Sequence, residues 1–475
     1  MSHILGNSRT PFACVLLAVT SLVVSVPVDA APIEGREPVI DVADDASPTE
    51  PLNPLPIDEG ASEMPESLAD IQAARAALAQ GNIEACHEKL RAAYAKSPNL
   101  PPPKLMLARM LLAVGQIGRG RAFLEEEAVA HPNHPDVYLL FGRLALADGH
   151  ATDAALHFAK AESLPTPKNW NDGQREHHAQ ACLEGKTQVA ERRGDWAEAM
   201  KLYQDQVDAH PKDAQLRDRY AMVLFRAGEL DRAFEQFDLA YLQDKTMNPP
   251  EISMAVMYVR QARYEQADEW FAKAFEKHED DPAVHFEHSI AMLYQDRTEE
   301  AAASAAQAQE LGMTSSLLDM HLGLIAMQQG NAAAAERQFQ KVLDDSPDNA
   351  NAMTKLALVL VEQGDDASQS RALKIAEEAG KKSPNSPEVA AVLGWVLYRT
   401  GKKEEGENLL RAAATHGSSN PLSLFLLARL LMLEEKSADA QQVAGILREQ
   451  LDRPGLFVLR PAARKWLESM HRESP

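Results

Sequence analysis

The stretch LLDMHLGLIAMQQGNAAAAERQFQKVLDDSP, residues 317–347, contains one complete structural unit. Leu322, Gly323 and Ala326 are spaced to share one face of a first helix, and Gly330 ends that helix as a left-handed C-cap. Ala335, Phe339 and Val342 then line one face of a second helix, which Pro347 stops. Small residues at Gly323 and Ala335 let the two helices approach closely, and Phe339 fills the space between this pair and the next. Neither helix buries its apolar stripe alone, so the unit needs neighbours.

Those neighbours are present at a fixed period. Turn glycines Gly81, Gly115 and Gly149 stand 34 residues apart, as do Gly194 and Gly228, and the closing prolines Pro98 and Pro132 keep the same step. Between Gly149 and Gly194 the interval is 45, which marks an insertion of 11 residues. Tyr138, Phe141, Gly142, Ala154, Phe158 and Ala161 repeat the pattern in one unit, and Ala233, Phe237 and Ala240 in another. This pattern resembles the tetratricopeptide repeat, whose 34-residue helix-turn-helix unit carries small and apolar residues in its first helix, then an Ala, an aromatic, an Ala and a Pro. The resemblance covers about residues 67–450. It implies an all-α, right-handed superhelical solenoid with a C-terminal capping helix.

The units divide the chain as follows. Repeats one to three occupy residues 67–167, an insertion loop 168–179, and repeats four to eleven 180–453, with a capping helix and tail at 454–475. Repeats after the insertion centre on Gly194, Gly228 and Ala262, and Asp296 and Gly330 hold the next two turns. Gly364 opens a unit with three extra residues in its turn, since Ala372, Ala376 and Ala379 recover the pattern only after that shift. The helix in PAARKWLESM, residues 461–470, has polar outward residues suited to covering the last repeat.

Ahead of the array, residues 1–30 read as a secretory signal peptide. Arg9 flanks the apolar run from Phe12 to Val28, and Val28-Asp29-Ala30 offers a small-residue cleavage site before Ala31. An uncleaved anchor is the alternative, although Thr20, Ser21, Ser25 and Pro27 interrupt a run already at the short limit of roughly 17–20 residues for a span. Residues 31–66, rich in Pro, Asp and Glu, read as a disordered linker, because they hold too little apolar surface to offset the entropy of ordering. These readings place the mature chain in the periplasm or cell envelope, without direct membrane binding once the signal is removed.

A formal charge of −22 disfavours nucleic acid and anionic lipid as partners. No phosphate loop, GxSxG elbow or HExxH motif occurs, so the chain is expected to be no enzyme and to need no cofactor. Glu176, His177 and His178 lack further ligands at metal spacing, and His285 and His288 fit structural positions between helices. Cys86 and Cys182 lie about three repeats apart, too far for a disulfide. Both read as small buried residues.

In tetratricopeptide arrays the residue after the small position of each first helix faces the concave groove. The resemblance therefore points to Arg75, Arg109, Arg143, Gln188, Met222, Val256, Ile290, Leu324, Leu358, Trp395 and Arg429, with Phe225 and Tyr398 beside them. Three arginines lead into an apolar row. Arginine suits bidentate carboxylate recognition and the row suits an apolar segment, so the expected ligand is an acidic, partly apolar protein segment. Trp170, in the insertion, is expected to be an exposed anchor for a partner. Together with the signal-like run, the resemblance to repeat proteins of bacterial envelopes implies a non-catalytic scaffold of a bacterial envelope. The alternatives are a self-associating structural protein or a regulatory subunit of an envelope enzyme, secretion or polymer-export complex. The two-carboxylate clamp used by some arrays for chaperone tails is not matched, because Ile71, Gln72, Leu105 and Met106 surround Arg75 and Arg109.

Overall fold

The computed structural model describes residues 65–475 apart from 385, 417–419, 454 and 473–475. The signal peptide and nearly all of the linker read from the sequence lie outside the described residues. Those residues form an all-α solenoid of consecutive antiparallel helix pairs. The first three pairs are α1 (Pro65–Ala79) with α2 (Ile83–Lys96), α3 (Pro103–Ala113) with α4 (Ile117–Ala130), and α5 (Pro135–Ala147) with α6 (Ala151–Ser163). Then come α7 (Asp172–Arg193) with α8 (Trp196–Ala209), α9 (Ala214–Arg226) with α10 (Leu230–Gln243), α11 (Pro250–Arg260) with α12 (Tyr264–Lys277), and α13 (Pro282–Tyr294) with α14 (Thr298–Glu310). The rest are α15 (Ser316–Gln328) with α16 (Ala332–Asp345), α17 (Ala350–Gln363) with α18 (Asp366–Lys382), α19 (Pro387–Arg399) with α20 (Lys403–His416), α21 (Pro421–Leu433) with α22 (Ser437–Leu451), and α23 (Arg460–Arg472).

Packing within a pair follows the reading of residues 317–347. Phe339 is fully buried, and a Cβ placed on Gly323 would lie 2.5 Å from its ring. Glycine therefore sets how closely α15 and α16 approach. Phe158 plays this part twice, since a Cβ on Gly142 of α5 would stand 2.7 Å from its ring and one on Gly185 of α7 2.3 Å. Each buried phenylalanine contributes on the order of 1.5–3 kcal/mol of hydrophobic stabilisation. The turns are left-handed at Gly81, Gly115, Gly149, Gly228 and Gly330. At the same place in the period Ala262 (φ 54°), Asp296 (φ 58°) and Glu435 (φ 58°) adopt that conformation without being glycine. The repeat geometry overrides the local steric preference.

Two sequence readings are corrected. The insertion at 168–179 is not a loop throughout: from Asp172 it is the first part of α7, which runs 22 residues. Asn171 Oδ1 accepts the Gln174 N–H at 2.8 Å while Gln174 Oε1 accepts the Asn171 N–H at 3.0 Å, and this reciprocal capping box starts the helix early. Likewise, the three extra residues after Gly364 lengthen α18 instead of its turn, because Asp365 Oδ1 caps the helix by accepting the Ser368 N–H at 2.9 Å.

The insertion and the C-terminal end of the array are both tied back onto earlier units. Asn169 Nδ2 donates to the Pro98 carbonyl at 2.7 Å, and Gln174 Nε2 to the Asn99 carbonyl at 3.2 Å, so the insertion reaches the loop between α2 and α3. At the other end, α23 buries Ala463, Leu467 and Met470, and Trp466 sits edge-on to Phe425 with ring centroids 5.8 Å apart. Its polar side does more than face water: Arg460 and Arg464 lie 3.7 and 3.4 Å from the Asp296 carboxylate in the α13–α14 turn. The capping helix therefore also touches the seventh pair.

Candidate functional site

The predicted groove row divides into three stretches with different fates. In the first, Arg75 is exposed and Arg143 half-buried, while Arg109 is buried with Nη2 donating to Asp136 Oδ2 at 2.6 Å. Burial and the neighbouring Arg109 charge lower the Arg143 pKa, so this end of the row is a crowded internal network. The insertion is the physical cause. Trp170 is 6% exposed and packs its ring against His134 and His178, at centroid distances of 5.9 and 5.4 Å. It is a core residue packed on His178, which itself contacts Asp136, and the expectation that it is an exposed anchor is corrected.

The last stretch is also closed. Leu358, Trp395 and Tyr398 are buried, Trp395 completely. The indole Nε1–H donates to Glu362 Oε1 at 2.9 Å, and Arg429 lies over the Trp395 ring at 4.6 Å while donating to both Glu362 oxygens. Tyr398 donates its hydroxyl to Glu434 at 2.6 Å. Here the row is part of the solenoid's own core, which runs on into α23.

Between these stretches Met222, Val256, Ile290 and Leu324 are only partly buried, one on each of α9, α11, α13 and α15, and rest on a core that includes the buried Phe225 and Phe286. Carboxylates accompany them. Burial pushes Asp218 up to about 6, against the pull of Arg260 and Arg219. Burial also raises Glu287 and Glu191, against opposing hydrogen bonds from Asn248 and Tyr203 respectively and nearby arginine charge. Sequence reasoning missed these acids, because nothing in the spacing distinguishes them from solvated helix-surface carboxylates. The arrangement offers an apolar strip accompanied by acids whose pKa burial raises. Among the described residues no cluster of three or more metal-ligating side chains occurs.

His285 and His288 take structural partners: His285 Nε2 meets the Glu279 carbonyl at 2.8 Å and His288 Nδ1 the Ser304 hydroxyl at 2.7 Å. Among the described residues, no helix is long and apolar enough to cross a membrane.

Comparison with known proteins agrees with the repeat architecture. A family model described as tetratricopeptide repeat matches residues 187–249 and 321–387. A TPR repeat-containing protein of Pseudomonas aeruginosa is 30% identical over 90 residues, which is 19% of this chain and 15% of that protein. Among solved structures, yeast Tom70 aligns over 87% of this chain and 97% of its own with 14% identity and a TM-score of 0.36. Pseudomonas aeruginosa PilF aligns over 47% and 96% with 18% identity and a TM-score of 0.33. YrrB, a TPR protein with an unusual peptide-binding site, aligns over 47% and 95% with 15% identity and a TM-score of 0.27. At these scores none of the three bears on what this chain binds.

Proposed function

Because the chain is a tetratricopeptide-repeat protein, we propose that it works as a non-catalytic scaffold in a bacterial cell envelope, holding a segment of a partner protein on the central part of its concave row. A protein-interaction role is what this fold suggests. The observation that carries the finer reading is the partly buried row Met222, Val256, Ile290 and Leu324 across four consecutive first helices. Apolar side chains recurring at helix spacing suit an extended or helical apolar segment, and methionine gives adaptable contacts. The N-terminal arginines are a weaker anchor for an acidic end of that segment, since Arg109 already holds Asp136. The envelope assignment draws support from the leader-like run at residues 12–28, and the bacterial one from the partial likeness to the Pseudomonas protein.

The test is affinity capture from a bacterial envelope extract with the chain from Ala31 onward, beside a Val256→Asp, Leu324→Asp variant whose helix content matches. A partner held by the first and depleted about tenfold by the second is expected. Equal retention by both baits would overturn the proposal.

A further inference from the structure

Asp296 adopts a left-handed backbone at φ 58°, as do Ala262 and Glu435, in a turn whose place Gly228 and Gly330 hold elsewhere. A side chain in that conformation is strained, so a turn that keeps one needs a reason in its surroundings. The surroundings of Asp296 supply it. Its Oδ1 accepts the Gln328 Nε2–H at 3.2 Å and lies 3.7 Å from Arg460 Nη1, while its Oδ2 accepts from Arg464 Nη1 at 3.4 Å. The next residue, Arg297, is held by Asp268 and Glu300. The two guanidiniums that meet Asp296 therefore both come from α23.

This contact grips the ends of two first helices. Arg460 Nη1 also donates to the carbonyl of Tyr294, the last residue of α13, at 3.5 Å, and Gln328 is the last residue of α15. Those helices carry Ile290 and Leu324, the C-terminal half of the partly buried row. On its other side α23 is held by apolar packing, with Ala463, Leu467 and Met470 buried and the Trp466 ring on Phe425 of α21. The two attachments differ in kind. Ionic contacts at 3.4 and 3.7 Å are looser than the 2.6 Å pair of Arg109 and Asp136, and half of the Arg464 side chain is exposed. Salt screens such contacts and leaves apolar packing intact. The shorter hydrogen bond of Arg460, 2.5 Å to the Gly455 carbonyl, stays within its own loop and does not involve Asp296.

We propose that α23 is an ionic clasp: it closes on the α13–α14 turn through Asp296, releases that turn when the charges are screened, and remains seated on α21. Closed, it fixes the ends of α13 and α15 and so sets the width of the C-terminal half of the row. Released, it lets those helices move apart from the last pairs. The left-handed aspartate is kept for its carboxylate, which a turn glycine would not supply. The clasp itself stands on these contacts alone, and its effect on a bound segment rests on the reading of the row proposed above.

The test places spin labels at Glu299→Cys of α14 and Glu468→Cys of α23, in the full chain with Cys14→Ser, and reads their separation by double electron–electron resonance. Both positions are exposed, whereas Cys86 and Cys182 are buried and stay unlabelled. A short separation is expected to dominate in about 0.05 M salt, and a longer one to gain about threefold or more in population in about 1 M salt. Asp296→Asn, which keeps a residue tolerated in the left-handed region, should show the longer separation at both salt levels. Glu435→Gly changes a left-handed turn without touching the clasp and should match wild type. A wild-type distribution indifferent to salt would overturn the proposal, as would wild-type distances in Asp296→Asn at low salt. A shift in Glu435→Gly as large as that in Asp296→Asn would overturn it too, by tracing the effect to turn strain. These distances are read without a partner, so they decide the clasp separately from whether the row holds a segment.

Discussion

Arg429 and Glu362 are 67 residues apart in the chain, yet both Nη atoms of the arginine donate to the glutamate carboxylate, at 2.8 and 3.1 Å. The pair joins α21 to α17 across an intervening repeat, and its floor is the Trp395 ring, whose N–H binds the same carboxylate. This contact distinguishes a closed row from an open groove.

Removing one partner should loosen that closure. Arg429→Ala leaves Glu362 half-enclosed without its bidentate donor and is expected to cost about 1–2 kcal/mol at neutral pH, discounted for partial exposure. Burial works to raise the Glu362 pKa, but the Arg429 charge and hydrogen bonds win and lower it. The wild-type contribution is therefore present above the unfolded carboxylate range near pH 4 and lost as pH falls through the depressed folded value. Urea melts of both proteins should differ at pH 7 and converge in strong acid. A gap that persists there would show the loss to be packing alone.

Asp218 behaves in the opposite sense. Its folded pKa of about 6 is above the ordinary aspartate value, so the fold favours the neutral form. Stability from this residue is complete below about pH 4 and lost as pH rises through about 6. Asp218→Asn should gain on the order of 2 kcal/mol at pH 7 and nothing at pH 3.5. Equal gains at both values would mean that Asp218 does not titrate as described.

Gly323→Ala places a methyl group 2.5 Å from the Phe339 ring. Overpacking of this kind should cost about 1–3 kcal/mol, and Phe339→Leu in the same chain should recover part of that loss by vacating the space. Additive losses in the double variant would argue that the two side chains do not compete.

Ala262 has φ 54° in a turn where Gly330 holds the same place with φ 73°. Ala262→Gly relieves left-handed strain but adds freedom to the unfolded chain, for an expected net gain of a few tenths to about 1 kcal/mol. Gly330→Ala should lose about 1 kcal/mol. Thermal melts with opposite shifts are the expected result, and shifts of the same sign would remove the argument from turn geometry.

The repeats themselves were legible because the physics that makes them is local and periodic. Gly81, Gly115 and Gly149 mark turns, Ala154, Phe158 and Ala161 mark a second helix, and the unit is too small to stand alone. The helix pairs and the cap follow from that reading. Even the two misread irregularities carried a signal, since Asn171 with Gln174 and Asp365 before Ser368 are helix starts written in the chain. The sequence by itself determined an all-α stack of units and the row of residues on each first helix. Only the tertiary structure decided which part of the row remains open. That depends on contacts between residues tens to more than a hundred positions apart: Asn169 reaching Pro98, Glu362 meeting Arg429, Arg464 approaching Asp296. Small rotations between repeats accumulate along a solenoid. The spacing within one repeat does not specify their sum, so Trp170 and Trp395 became core while Val256 and Ile290 kept a face to solvent.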